Sequence, residues 1–407
     1  MMWQLFDTFG IFVGFVCYWV FERSWRGILG SAAVPALILL ALVYLCPESP
    51  RFLIRKREYA KAFVCLRQLR GTDIQAAKDL YYIHSQLQVE TELFHGKPPE
   101  QWWRANPYQD EVEAQSFFQR VKSLFTVPRN RRACMAAFLV MLAQQLCGIN
   151  VLSFYSSEVF QSAQSLGQAR PGQLLCNGAE PQRNDQVAWL NFGFGLANFL
   201  FTIPAYKFID WRGRRVLLLI SLGGMFFTLL AISLFFRIDD ASSREVLVAI
   251  FAIVVFTFFY GIGAGPVPFT FSAEVFPLAF REVGMSFSVM VNFIGLSILI
   301  LFVPRLTIKF TPSGKDDLYG HSNLLFAFTT LNALAFVLVF FLVPSGTAQI
   351  SLEEMNHIFN IKTGEHAFNH LPKFVKERCH SRGHDEQDQD DADEEMGIPF
   401  RTVARTV

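Results

Sequence analysis

Apolar residues along this chain gather in eight long runs, at about 3–21, 27–46, 132–154, 187–209, 215–236, 245–271, 284–304 and 322–343. Each approaches the roughly 20 residues that a helix needs to cross a hydrocarbon core about 30 Å thick, so each predicts a membrane-spanning helix. Eight spans put both chain ends on one side. The sixth run is interrupted by Gly261, Gly263, Gly265, Pro266 and Pro268. Lipid offers no partner to the backbone groups that such residues set free, so neighbouring helices or a water-filled cavity must satisfy them. The interruption reads either as a broken helix beside a functional cavity or as a structural kink.

The polar stretches between the runs give an orientation. The loop 47–131 carries Arg51, Arg55, Lys56, Arg57 and Lys61 beside one run and Arg120, Lys122, Arg129 and Arg131 beside the next, and the short loop 210–215 holds Arg212, Arg214 and Arg215. Basic residues near span ends stay in the cytoplasm. The alternate connections are poorer in Lys and Arg for their length, so both termini are expected in the cytoplasm as well. Within the long loop, 59–69 and 76–93 have helical periodicity, and about 98–113 is rich in Pro, Trp and charge. An amphipathic helical layer followed by a linker is expected there. The tail turns polar after Leu352 and is almost wholly acidic over 385–395, a composition that predicts disorder.

Composition sharpens the picture. With 52% hydrophobic residues, 44 Phe, only 17% charged residues and a mean hydropathy of +0.29, the 407-residue chain is expected to be an all-α polytopic membrane protein. A net charge of +1 with no single basic face gives no sign of a nucleic-acid partner. The seven cysteines are scattered without metal or disulfide spacing, and the eight histidines lie outside the deep apolar runs. No metal and no cofactor is called for. There is no phosphate-cradling loop and no nucleophile elbow, so an enzyme is not expected. The amino terminus enters its first run with Asp7 and no basic leader, which predicts no cleavable signal.

Candidate chemistry lies in four places. The third run reads Gln144-Gln145-Leu146-Cys147-Gly148-Ile149-Asn150. A carboxamide both donates and accepts, so amides in an apolar helix suit a hydroxyl-rich neutral ligand at no cost in buried charge. They also suit hydrogen bonds between helices. The other three motifs join an acid to an arginine at span ends: Glu48 with Arg51, Asp210 with Arg214, and Glu274 with Arg281 after Pro277. Such pairs can clamp helix ends on one face of a transporter and part when the helices rock, or they are positive-inside anchors with incidental acids.

Together these motifs resemble the sugar porter family of the major facilitator superfamily, in wording that looks fungal, over about residues 3–360. The resemblance implies a major facilitator fold and a substrate site of Gln144, Gln145, Asn150, Asn198, Phe269 and Asn292. It implies an extracellular gate of Phe154 and Tyr155 and a cytoplasmic gate built from Glu48, Arg51, Asp210, Arg214, Glu274 and Arg281. Phe269 stands where many members place a substrate-facing Trp, and Pro344-Ser345-Gly346-Thr347 replaces a terminal motif that usually includes an acid. The first change removes an indole donor.

The family has two six-helix halves with a long cytoplasmic loop between them, whereas two runs precede the loop here and six follow it. Eight of twelve transmembrane helices are therefore expected, with a truncated gene model or fragment as the simplest account. The implied domains are 1–46 as the last two helices of the N-terminal half, 47–131 as a cytoplasmic helical loop, 132–343 as the six-helix C-terminal half, and 344–407 as a cytoplasmic tail. The expected activity is transport of a hexose, pentose or polyol by alternating access, as uniport or proton symport. The expected partners are that neutral sugar, a co-transported proton in the symport case, and the lipid bilayer; the plasma membrane is the expected location. The other reading is a non-transporting sugar sensor, or an inactive truncated porter, acting through its cytoplasmic tail.

Overall fold

The computed structural model describes residues 2–21, 24–95, 117–164, 185–276, 280–311 and 317–344, and all regular structure among them is helical. The Pro- and Trp-rich stretch 98–113, Pro277, the terminal motif 345–347 and the acidic tail lie outside the described residues. The chain opens with α1 (Met2–Val20), α2 (Trp25–Ser31) and α3 (Ala33–Val43), then runs through α4 (Pro50–Arg55), α5 (Tyr59–Arg70), α6 (Asp73–His95) and α7 (Phe117–Thr126). The third apolar run becomes α8 (Pro128–Leu146), α9 (Ile149–Phe154) and α10 (Ser156–Gln164), followed by α11 (Asp185–Thr202), α12 (Ala205–Arg212) and α13 (Arg214–Phe235). Then come α14 (Ala241–Ile250), α15 (Thr257–Phe259), α16 (Pro266–Val275), α17 (Arg281–Phe310) and α18 (Asp317–Leu342).

Seven helices among the described residues are long and apolar enough to cross a membrane: Met2–Val20, Trp25–Val43, Asp185–Ile209, Arg214–Phe235, Ala241–Val275, Arg281–Phe310 and Leu318–Leu342. The run at 132–154 is helical too, but it is divided at Gly148 and its first turn carries Arg129, Arg131 and Arg132. The division explains its separate character. Of the long helices, Trp25–Val43 is the least enclosed: no residue of α2 or α3 is buried, and Leu37, Ile38, Leu39 and Leu40 are all exposed. A helix apolar all round has no preferred face, and lipid solvates such a surface as well as protein does.

The main core lies among α8, α11, α13, the 241–275 span, α17 and α18. Phe160, Phe194, Phe236, Phe256, Phe271 and Phe276 are its largest fully buried rings. Packing of α13 on α18 is locked by polar groups. Ser233 Oγ donates to the Ser322 carbonyl and Ser322 Oγ to the Ser233 carbonyl, both at 2.8 Å, while Asn332 Nδ2 donates to the Leu222 carbonyl at 3.0 Å. In a lipid-like interior, where apolar burial supplies little drive between helices, such bonds and close packing hold the bundle. The first helix joins this core along α11 through ring contacts Phe9–Phe199, Phe12–Phe192 and Trp19–Trp189.

Helices α5 and α6 coincide with the two periodic segments read from the loop. Leu53, Ile54 and Ala62 form a small second core with Cys65, Leu80 and Ile83 packed against it. Surface ion pairs Arg67–Asp73 at 2.9 Å and Arg70–Asp79 at 2.5 Å bridge α5 to α6. Gly71, at φ 74°, ends α5 in the left-handed conformation that glycine adopts without a Cβ penalty.

Candidate functional site

The site begins with two interruptions of helix. In the first, the α8 ladder closes with Cys147 N–H bonding to the Ala143 carbonyl, Gly148 turns the chain at φ 84°, and α9 restarts with Val151 and Leu152 N–H bonding to the Gly148 carbonyl. An L side chain strains in that conformation, and a Cβ here would also meet Leu229 Cδ1 at 3.2 Å. The consequence is local. Gln144 and Gln145 end one helical piece, and Asn150 begins the next.

The second interruption differs from the break expected at the glycines and prolines of 261–268. The helix does not stop; it widens into π-helical turns over Phe251–Phe256 and Tyr260–Ala264 before continuing as α16 from Pro266. Ser221 of α13 satisfies the displaced backbone. Its hydroxyl donates to the Phe259 carbonyl at 2.6 Å and accepts from Ala264 N–H at 2.9 Å. Gly263 permits this approach, because a Cβ there would lie 2.5 Å from the Leu217 carbonyl oxygen.

Between the interruptions the amides form two neighbouring hydrogen-bonded groups. Asn292 Nδ2, on α17, donates to Gln144 Oε1 at 2.6 Å. Gln144 Nε2 in turn donates to the Gly265 carbonyl at 3.2 Å and reaches the Tyr260 hydroxyl at 3.5 Å. Asn150 Nδ2 donates to Gln145 Oε1 at 2.5 Å across the Gly148 break. Gln145 also lies against α17, where a Cβ on Gly295 would come within 2.9 Å of its Cγ. Gln144, Gln145 and Asn292 are buried and Asn150 is half-buried. Helices α8, α9 and α17 and the turn at 260–265 therefore meet largely through neutral amides that both donate and accept.

Beyond the break, Tyr155 donates its hydroxyl to the Ile300 carbonyl at 2.7 Å, tying the α9–α10 turn to α17. At the other end of the bundle, Arg214 makes a two-pronged pair with Glu274, Nε to Oε2 at 3.0 Å and Nη2 to Oε1 at 2.9 Å, and its Nη1 donates to the Ile209 carbonyl. One guanidinium thus joins the start of α13, the end of α12 and the end of α16.

Comparison with known proteins decides what this assembly belongs to. A family model described as "Sugar (and other) transporter" matches residues 1–359. The chain belongs to the sugar transporter family. It is 29% identical over 374 residues to solute carrier family 2, facilitated glucose transporter member 3, of Ovis aries, covering 88% of this chain and 64% of that protein. It is 28% identical over 337 residues to myo-inositol transporter 2 of Schizosaccharomyces pombe, covering 79% of this chain and 53% of that protein. The fold matches that of the xylose transporter XylE from E. coli in a partially occluded inward-open conformation, with TM-score 0.56, 18% identity, and coverage of 86% of this chain and 63% of that one. The chain therefore spans just under two thirds of the sheep protein's length.

In this sugar transporter family member, the structure brings Gln144, Gln145, Asn150 and Asn292 together, and the other expected residues take different places. Asn198 is buried on α11, outside the hydrogen-bonded set, and its Oδ1 has no partner among the described residues. Phe154 is 57% exposed, whereas its neighbour Tyr155 is engaged. Glu48 is exposed, and Arg51 lies in the first turn of α4, half-buried. Asp210 lies on α12, with its side chain outside the described set, and Arg281 opens α17. Of the acid and arginine motifs, the second and third are joined to each other by the Arg214–Glu274 pair.

Two neighbours of the site were not anticipated. Gln4 is buried on α1, and a Cβ on Gly265 would lie 3.3 Å from Gln4 Nε2. Tyr260 is buried where the π turn begins. Gln4 carried the same sequence signal as Gln144, an amide in an apolar run. Phe269 is half-buried, and its ring faces Trp3 of α1.

Proposed function

We propose that this chain forms the sugar-binding part of an alternating-access carrier for a neutral hexose, pentose or polyol. The carrying observation is the continuous amide path from Asn292 through Gln144 to the Gly265 carbonyl, set beside the Gln145–Asn150 pair at the helix break. Every side chain in the path is an uncharged amide that both donates and accepts, so hydroxyls of a sugar can replace these internal bonds without stranding a charge. Asn198 belongs to the same reading through its unmatched buried oxygen, since buried acceptors are rarely left unpaired. Gln4 joins from α1. Phe269 offers a ring to the C–H face of the substrate.

Affinity sets no obstacle. Millimolar binding requires about 4 kcal/mol, and hydrogen bonds contributing a net ~0.5–1.5 kcal/mol each reach it with a ring contact, after the cost of association. The two helix interruptions supply the moving parts, α9–α10 beyond Gly148 and α16 beyond the π turns, with Tyr155 on one side and Arg214–Glu274 on the other as the contacts that open and close. The xylose, myo-inositol and glucose transporters among the relatives support a sugar or polyol as cargo. The purified chain in detergent, assayed for equilibrium binding of radiolabelled D-glucose, D-xylose and myo-inositol, tests this. Gln145→Ala and Asn150→Ala should each weaken binding about fivefold or more, the loss of one or two net hydrogen bonds. Parent-like binding by both variants would remove the pair from the site.

A further inference from the structure

The ring of Phe269 is met by an indole arriving from another helix. Trp3, on α1, has its ring centroid 5.9 Å from that of Phe269, with the planes tilted by 36°. Trp3 directly precedes Gln4, and Phe269 follows Gly265 by about one helical turn. The Gln4–Gly265 approach and the Trp3–Phe269 contact are therefore successive rungs of one seam between α1 and α16. The first rung is bonded to the amide path, because the Gly265 carbonyl accepts from Gln144.

Neither ring is locked into the core. Trp3 is 61% exposed and Phe269 is half-buried, so both rings keep surface that the described residues leave uncovered. We propose that Trp3 and Phe269 form one aromatic platform for the C–H face of a cyclic sugar, with Trp3 the residue that sets the preference for ring-form over open-chain ligands. A tilted pair presents two faces at an angle, which follows the curvature of a pyranose better than one flat ring does. Trp3 also carries an N–H donor that Phe269 lacks. This inference rests on the sugar-binding reading and adds the class of ligand it prefers.

The test uses the full 407-residue chain, purified in detergent, with D-glucose as the cyclic probe and D-sorbitol as the open-chain one. Trp3→Ala should weaken D-glucose binding about three- to tenfold, the range expected for one aromatic contact, while D-sorbitol changes less than about twofold. Trp3→Phe keeps a ring and should stay within about threefold of the parent for D-glucose. Adding Phe269→Trp to Trp3→Ala should recover most of the loss, a rescue that a merely structural role for Trp3 would not give. The platform is overturned if Trp3→Ala binds D-glucose like the parent, if it loses both ligands equally, or if the Phe269→Trp rescue fails. Loss of binding in Gln145→Ala alongside parent-like Trp3→Ala overturns the platform and leaves the amide site standing. A parent chain that binds neither ligand overturns both.

Discussion

Gly148 shows how one residue can divide a helix and define a site. Its φ of 84° and its contact distance of 3.2 Å to Leu229 both act against any side chain. The left-handed conformation costs an L residue about 1–2 kcal/mol, so Gly148→Ala should lower the unfolding free energy by at least about that much. Gly30, which has open space around it and lies in a regular helix, is the matched control. There Gly→Ala should be neutral or stabilising by up to about 1 kcal/mol. Thermal unfolding in detergent compares the two. Gly148→Ala should also weaken sugar binding, because Gln145 and Asn150 hold their mutual bond across that turn; equal melting of the two variants would contradict the strain assigned to Gly148.

At the scale of elements, two devices hold α13 to the irregular span, and each makes a separable prediction. Ser221 serves two backbone groups at once. Ser221→Ala would leave the Ala264 N–H and the Phe259 carbonyl without this partner, at a cost of about 1–3 kcal/mol for each stranded group. The loss should appear in melting, with protection from hydrogen exchange reduced at Ala264. The Arg214–Glu274 pair behaves differently, since its carboxylate is 36% exposed and its arginine side chain only 11%. Glu274→Gln weakens both prongs and should leave Arg214 the more costly survivor. Its effect should fall on state occupancy: cysteines introduced beside α16 should react faster with a soluble maleimide, while sugar binding at the amides is retained. A double-mutant cycle with Arg214→Ala should return a coupling of about 1 kcal/mol or more, above what an exposed ion pair gives; a coupling near zero would reduce the pair to an anchor.

Across the whole molecule, what could be read from sequence was whatever one helix decides by itself. Long apolar runs announce their helices because burial in lipid needs no partner, and the amides of α8 stand out against such a background. Gln4 and Trp3 escaped notice for the opposite reason. Their meaning depends on Gly265 and Phe269, far along the chain and brought close only when α1 packs beside α16. The π turns were likewise invisible, because Gly and Pro report that regular bonding fails but not that Ser221 will repair it. Orientation in the bilayer is the remaining property of the whole, and charge predicts it. The loop with α4 to α6 is bordered by basic clusters at 51–61 and 120–132, whereas the connection that contains Gln186 carries fewer basic residues for its length. By the positive-inside rule the first should face the cytoplasm and the second the outside. Ser85 on α6 and Gln186 on α11 report the two faces. In intact cells a membrane-impermeant maleimide should label Gln186→Cys above the parent's own cysteine background and leave Ser85→Cys at that background. After permeabilisation both should label. The reverse pattern would invert the membrane orientation and exchange the sides assigned to Tyr155 and to the Arg214–Glu274 pair, while leaving the amide site between them unchanged.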